Sequence, residues 1–390
     1  MTGEPGGPGP GQAEAQGAGV QGAGARGAGA QSARAQGAEV PGAGVQGAEV
    51  PGIRAEATAA WFVANVPGAR PPLTFRVIAG GRSNLTYLVL DSGGGSWVLR
   101  RPPLSGVLPS AHDMGREHRI ISALRDTPVP VPGAIGLCED PSVTGAPFYV
   151  MAYVDGVVPS DERTVASSFD ERQRATAARS LVEVLVALHE VDPVAVGLGD
   201  LGRRDGYIER QLRRWSRQWE QSKTRELPAI EEAGRRLAAS VPAQQGPSTI
   251  VHGDYRLDNL ILSPAGEVLA VLDWELCTLG DPLADVGQLM VYWAEDTDKV
   301  VPLTRAPTLA AGFPRRREIV ERYAARSGRD VAQLDFFVAL AYWKLAAILE
   351  GVYARYSAGQ YGETSDEFRS FGKIVEQLAD AALDAARRLD

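Results

Sequence analysis

The order of the elements predicts an α+β protein with two lobes, a small β-rich N-lobe and a larger helical C-lobe. Three observations carry this. Strand signals crowd residues 73–153, helical periodicity dominates from Phe169 onward, and one short β insertion at 260–272 interrupts the helical run. Ahead of both lobes lies a different kind of segment. Of the 390 residues, the first 52 hold 16 of the 44 glycines, no aromatic residue and no lysine. They also repeat themselves, with Gln36-Gly-Ala-Glu-Val-Pro-Gly42 recurring as Gln46-Gly-Ala-Glu-Val-Pro-Gly52. Such a composition buries too little apolar surface to offset its conformational entropy, so a disordered low-complexity tail is expected over residues 1–52.

The N-lobe is expected over 53–154. Residues 53–66 read as a helix with Trp61 and Phe62 among small residues, followed by strands at Leu73–Ile78, Leu85–Leu90 and Trp97–Arg100. Asp91-Ser-Gly-Gly-Gly95 supplies the turn that makes the last two a hairpin. A helix at 113–125 and strands near 134–138 and 147–153 complete the lobe, and the chain is expected to change lobe near Val154-Asp-Gly156. The C-lobe, 155–390, reads as helices at 170–189, 205–222, 228–240, 282–295, 315–327, 331–351 and 366–389. Its β insertion is Leu260-Ile-Leu262 and Val268–Leu272, joined by Ser-Pro-Ala-Gly-Glu.

Composition narrows the function. The tail lacks a basic start followed by an apolar run, so no secretory signal is read. The most apolar stretch, Phe336–Leu349, contains Lys344 and is too short to span a bilayer, so no membrane partner is expected. Cys138 and Cys277 form neither a metal spacing nor a disulfide framework, which fits the cytoplasm. A net charge of −8 disfavours nucleic acid. Of 40 basic residues only Lys223, Lys299, Lys344 and Lys373 are lysine.

The strongest chemical signal is His252-Gly-Asp-Tyr-Arg-Leu-Asp-Asn259, followed by the apolar strand 268–272 that ends at Asp273. A carboxylate at the exit of a buried strand can face a cleft while its backbone stays held. Asn259 and Asp273 offer the oxygen donors that Mg²⁺ prefers, leaving Asp254 free to accept a proton. Loop Asp and Asn commonly make turns and caps instead, but the three together match the H-x-D-x-x-x-x-N pattern of phosphotransferases. His252, with no second histidine nearby, reads as an organiser of backbone.

A kinase reading makes demands on the first lobe. Ala79-Gly-Gly-Arg-Ser-Asn84 provides a glycine turn between strands, suited to phosphate. Arg100 is the placed cation on the third strand, because no lysine precedes Lys223. On the next helix Glu117 shares a face with Met114, Ile120, Ile121 and Leu124. A carboxylate on an apolar stripe needs a partner, and Arg100 is the expected one.

Gly80-Gly-Arg-Ser-Asn84, Trp97–Pro103, Arg116-Glu-His118, Phe148–Met151, His252–Asn259 and Val271-Leu-Asp-Trp-Glu275 through Gly280-Asp-Pro-Leu-Ala-Asp285 resemble the aminoglycoside phosphotransferase / choline kinase superfamily. More narrowly, the chain is similar to the kinase-like domain found ahead of acyl-CoA dehydrogenases and to its free-standing bacterial relatives. The resemblance covers roughly residues 55–390. It implies a protein-kinase-like two-lobe fold, ATP and Mg²⁺ as cofactors, and a small-molecule hydroxyl acceptor, with hydroxyacyl-CoA the class met in the animal relatives. It further implies Asp254 as catalytic base and Asn259 and Asp273 as metal ligands. Gly80, Gly81, Ser83, Asn84, Arg100, Glu117, Met151 and Tyr153 would form the nucleotide site. Arginine replaces the usual lysine at Arg100, and Trp274-Glu275 stands where protein kinases carry Phe-Gly, so no activation-loop switching is expected. Two other functions stay open: an antibiotic phosphotransferase, and a nucleotide-binding pseudokinase without turnover. On the helix 205–222, Arg210, Arg213, Arg214 and Arg217 form a stripe, read either as a solvated face or as a contact for an anionic substrate.

Overall fold

A computed structural model describes residues 50–80, 84–104, 112–302, 306–357 and 366–389. Residues 1–49 of the expected tail, and Gly81, Arg82 and Ser83 of the glycine turn, lie outside the described residues. Helix α1 (Ala55–Asn65) precedes strands β1 (Thr74–Gly80), β2 (Leu85–Leu90) and β3 (Ser96–Arg101). Helix α2 (Met114–Leu124), β4 (Ala134–Cys138), the short α3 (Pro141–Thr144) and β5 (Phe148–Ala152) follow. The five strands form one antiparallel sheet in the order β1-β2-β3-β5-β4.

Local chemistry explains the register. Asp91 accepts backbone N–H bonds from Gly93 (2.8 Å) and Gly95 (2.6 Å), which closes the β2–β3 turn and sets Leu90 opposite Ser96. Side chains then alternate. Tyr87, Val89, Leu99 and Val150 pack with Phe62 of α1, whereas Val98, Tyr149 and Met151 join the main core with Ile120 and Ile121 of α2. Arg100 and Arg101 therefore part company. Arg101 donates to the carbonyls of Gly52 and Thr144, while Arg100 lies on the α2 side. Asp113 caps α2 by accepting from Arg116 N at 2.9 Å.

Beyond β5 the chain is mostly helical, with α4 (Glu162–Ser168), α5 (Glu171–Glu190), α6 (Tyr207–Ser222) and α7 (Pro228–Ala239). Four short strands come next: β6 (Thr249–Val251), β7 (Leu260–Leu262), β8 (Val268–Val271) and β9 (Thr278–Gly280). Helices α8 (Leu283–Tyr292), α9 (Arg316–Ser327), α10 (Leu334–Ser357) and α11 (Asp366–Ala386) complete the order. β6 pairs with β9 and β7 with β8, so two small ribbons hold the loop between them. Where the chain leaves the large sheet, Gly156 is needed: a Cβ there would meet Leu262 O at 2.6 Å, because Val157 bridges to Leu262.

Five elements depart from expectation. α10 runs 24 residues, longer than the 331–351 reading, and by length and composition it could cross a membrane. Shortness therefore gives no ground against a span; the apolarity is accounted for by burial, since 78% of its apolar window is buried among α6, α7, α8 and α11. β6 and β9 were not expected, because three residues are too few to show a period. The α3 and α4 turns escaped for the same reason.

Candidate active site

The loop between β6 and β7 is built around a buried carboxylate. Asp285, on α8, accepts the backbone N–H groups of His252 (2.7 Å) and Gly253 (2.8 Å), and His189 Nε2 lies 3.3 Å away. Burial opposes ionisation of Asp285, but those bonds and the nearby histidines hold its pKa below the usual carboxylate value. Gly253 takes a positive φ of 83°, and a Cβ there would lie 2.8 Å from Leu276 O, so only glycine makes this turn without strain. His252 Nδ1 accepts from Asp254 N (3.2 Å) while Nε2 donates to Leu272 O (2.9 Å). Both ring nitrogens serve backbone groups, as expected of an organising residue.

Asp254 is 3% exposed, and its carboxylate accepts three hydrogen bonds, which leaves Oδ1 able to accept another. Oδ2 accepts from Asn259 Nδ2 (3.0 Å) and Arg256 Nε (3.2 Å), and Oδ1 from Gln288 Nε2 (3.0 Å). Asn259 also donates to Asp254 O at 2.8 Å. Since its nitrogen is used twice, its amide oxygen is the atom left for a cation. Leu272 N donates to Asn259 O at 2.8 Å, which brings the next residue, Asp273, beside Asn259. Asp273 is the one non-glycine residue with positive φ (65°) among the described residues, and such strained backbone gathers at functional sites.

From the sheet, Arg100 reaches across to Asp273 Oδ1 through its NH2 group, while its Nε sits 3.1 Å from Glu117 Oε2. Glu117 also accepts from Tyr149 OH (3.1 Å) and Asn84 Nδ2 (3.2 Å), and Asn84 donates to Glu275 Oε2 at 3.2 Å. Burial raises the pKa of Glu117 above its ordinary value, with Arg100 opposing. For Arg100 itself burial works against the charge, yet Glu117 and Asp273 outweigh it and hold the guanidinium protonated. The expected Arg100–Glu117 pair is present. Its further tie to Asp273 was not foreseen.

The structure thus gathers Asn84, Arg100, Glu117 and Asp273 in one network and Asp254 with Asn259 in another, joined through Leu272. Met151 lies opposite Val98 on β5 and is 7% exposed. Tyr153, just past β5, is 41% exposed and makes no hydrogen bond among the described residues. Gly80 ends β1 opposite Leu85, while Gly81 and Ser83 are outside the described residues. On α6, Ile208, Leu212, Trp215 and Trp219 are buried as their spacing predicts, and Arg213, Arg214 and Arg217 are exposed.

Several residues of the site escaped sequence reasoning. Arg256 is 1% exposed, pairs with Asp254 and with Asp258 Oδ2 (2.5 Å), and stacks over Tyr292 at 4.7 Å. Despite that pairing, burial pushes Asp258 up to about 6. Lys344 Nζ donates to Gly253 O and Gln288 Oε1, both at 3.0 Å. Burial lowers Lys344 to about 8, and Arg214 adds to the fall while Asp254 and Asp285 oppose it. A lysine inside an apolar helix was the available signal, since such a charge must find partners. A buried base with three donors, beside hard oxygen ligands and a clamped cation, suits proton acceptance next to bound phosphate.

Comparison with known proteins gives the same direction. Residues 74–337 match the model of the phosphotransferase enzyme family. The chain is 38% identical to mouse acyl-CoA dehydrogenase family member 10 over 79% of its length and 29% of that protein's. It is 36% identical to chicken acyl-CoA dehydrogenase family member 11 over 81% of its length and 41% of the relative's. The chain therefore spans less than half of these curated relatives. Among solved structures, a Ralstonia eutropha protein provisionally designated an aminoglycoside phosphotransferase superposes with a TM-score of 0.73. It is 33% identical, and the match covers 85% of this chain and 98% of that one. A thermostable mutant of the aminoglycoside phosphotransferase APH(4)-Ia, in complex with AMP-PNP and hygromycin B, shares the fold over 84% of this chain and 97% of its own at 14% identity and a TM-score of 0.57.

Proposed function

The chain belongs to the phosphotransferase enzyme family, and from that membership we propose that it is an ATP- and Mg²⁺-dependent kinase of a small-molecule hydroxyl, with a hydroxyacyl-CoA as acceptor. One observation carries the reading: Asp254, Asn259 and Asp273 are drawn together through Leu272, and Arg100 reaches Asp273 from the sheet. Asn259 and Asp273 would hold Mg²⁺. One amide and one carboxylate suffice for an ion that keeps waters and takes substrate phosphates as its other ligands. The charge balance fits as well. Glu117, Asp254, Asp258, Asp273 and Glu275 outnumber Arg100, Arg256 and Lys344, so negative charge is left over for a divalent ion to neutralise. Mg²⁺, when bound, supplies charge neutralisation at the phosphates.

The chain's own residues have these roles. Asp254 orients the acceptor hydroxyl and takes its proton, its carboxylate held in one pose by Asn259, Arg256 and Gln288. Arg100 presents a permanent charge on the phosphate side, kept in line by Glu117. The Gly80–Asn84 turn, Met151 and Tyr153 receive the nucleotide. The acyl-CoA names of the relatives support the acceptor class, and two free, buried thiols suit a cytoplasmic setting. A second reading, phosphorylation of an aminoglycoside, is favoured by the designation of the Ralstonia neighbour.

ADP release measured with hydroxyacyl-CoA and aminoglycoside panels separates the two acceptors. ATP binding without turnover on either panel would indicate a pseudokinase. Asp254→Asn keeps the shape of the side chain and should lower turnover by ~10²–10⁴-fold with ATP binding retained. Loss of ATP binding in that variant would contradict the role given to Asp254.

A further inference from the structure

Between α6, α8 and α10, next to the turn that carries Asp254, lies a cavity of about 20 Å³, room for one water-sized group. Its polar lining comes from Tyr207, Gln211, Asp285, Gln288 and Lys344, with the Trp215 ring alongside. What these groups still offer decides what the cavity can hold. Lys344 has three N–H groups, and its bonds to Gly253 O and Gln288 Oε1 use two of them. Gln288, with Oε1 taken by Lys344 and one N–H on Asp254, has an N–H left to give. Gln211 accepts from Trp215 Nε1 at 3.0 Å, so it too presents N–H. The acidic member, Asp285, is filled by His252, Gly253 and His189. Tyr207 can serve either way.

The lining is therefore rich in donors and carries a cation, and Arg214, stacked 4.9 Å over Trp215, adds a second positive charge nearby. A guest that satisfies such a site brings an acceptor oxygen. A polycation brings more N–H donors to a lining already rich in them, and its one acid, Asp285, has its oxygens taken by His252, Gly253 and His189.

We propose that this cavity receives a carbonyl or carboxylate oxygen of the acceptor molecule, and that Lys344 is the residue that selects a hydroxyacyl acceptor over a polycationic one. The inference rests on the kinase reading for the presence of a hydroxyl acceptor beside Asp254. It adds the group that recognises that acceptor. Lys344 does so from a position that also anchors Gln288: with the ammonium on Oε1, the Gln288 amide must turn its nitrogen to Asp254 Oδ1. Occupancy of the cavity and alignment of the base are thus linked through one amide.

The test is calorimetric binding to the full chain in the presence of a non-hydrolysable ATP analogue and Mg²⁺, with 2-, 3- and 4-hydroxybutyryl-CoA and kanamycin as probes. Wild type is expected to bind at least one thioester more tightly than kanamycin. Lys344→Met and Gln211→Leu should each weaken that binding by about 10- to 100-fold, the loss of a hydrogen bond to a charged or desolvated group. A nucleotide-induced rise in melting temperature retained in both variants shows that they are folded. Thioester affinity in Lys344→Met within about twofold of wild type overturns the proposal, as does kanamycin binding more tightly than every thioester, or no probe binding at all. A fall in kcat with unchanged affinity also overturns it, because Lys344 would then act on Asp254 alone. Selective thioester binding that depends on Lys344 but gives no ADP release would keep Lys344 as the recognising residue and refute phosphoryl transfer.

Discussion

Removing the cation that two buried carboxylates share should expose how the sheet is tied to Asp273. In Arg100→Met, Glu117 (2% exposed) and Asp273 (7% exposed) lose their common partner and cannot turn to water instead. Taking one member from a buried ion pair destabilises by about 3–5 kcal/mol. Tyr149 and Asn84 still donate to Glu117, so the lower end, about 3 kcal/mol, is expected. Arg100→Lys keeps the charge but has a single nitrogen where the guanidinium bridges with two, so it should lose one contact, about 1.5 kcal/mol. Guanidinium chloride unfolding measures both, and ATP titrations should show a raised KM in each. The pH dependence adds a sign. The pKa of Glu117 is already above its ordinary 4.5 because burial outweighs Arg100. A group raised in the folded state contributes stability in full below its unfolded value and loses it as pH climbs through the folded one. Without Arg100 that folded value rises further, so the deficit of the Met variant should widen as pH increases above 4.5. A Met variant within about 0.5 kcal/mol of wild type, or a deficit that shrinks with rising pH, refutes the reasoning.

Asp285→Asn leaves one acceptor where the carboxylate offers two to His252 N and Gly253 N; a loss of ~1–3 kcal/mol in chemical unfolding, with kcat falling more than ATP affinity, is expected. Lys344, held at about 8 against 10.5 when unfolded, binds fewer protons folded than unfolded between those values. Wild-type stability should therefore rise with pH across that window, by at most about 3 kcal/mol and less for its partial exposure, and Lys344→Met should abolish the rise. Asp273→Asn should raise the Mg²⁺ needed for half-maximal turnover by ~10-fold or more, and an unchanged Mg²⁺ titration would remove Asp273 from the metal site.

Legibility followed sequence distance. His252–Asn259 and the strand into Asp273 could be read because the loop and its neighbouring hairpin are local. Glu117 was legible because a lone carboxylate on an apolar helix stripe must be paired. Asp285 appears in a motif without a role, although it is the sole charged residue in the helix Leu283–Tyr292. Gln288 and Lys344 act on a loop 34 and 91 residues away in the chain, and no spacing rule spans helices that meet only after packing. The tie between Arg100 and Asp273, 173 residues apart, was hidden for the same reason.

The scarcity of lysine acquires a physical meaning at these two positions. Arg100 donates to Asp273 from NH2 and places its Nε side 3.1 Å from Glu117 as an ion pair, and a planar, extended charge spans two carboxylates as one ammonium cannot. Lys344 meets the opposite demand. It must direct donors to Gly253 O and Gln288 Oε1 from one atom, beside a cavity that holds a single water-sized group. A compact ammonium with three donors fits that space, whereas a guanidinium would occupy it. Each cation thus suits the number and separation of the acceptors it faces. The same geometry that makes arginine workable in the first lobe makes lysine the fitting choice beside the loop that carries Asp254.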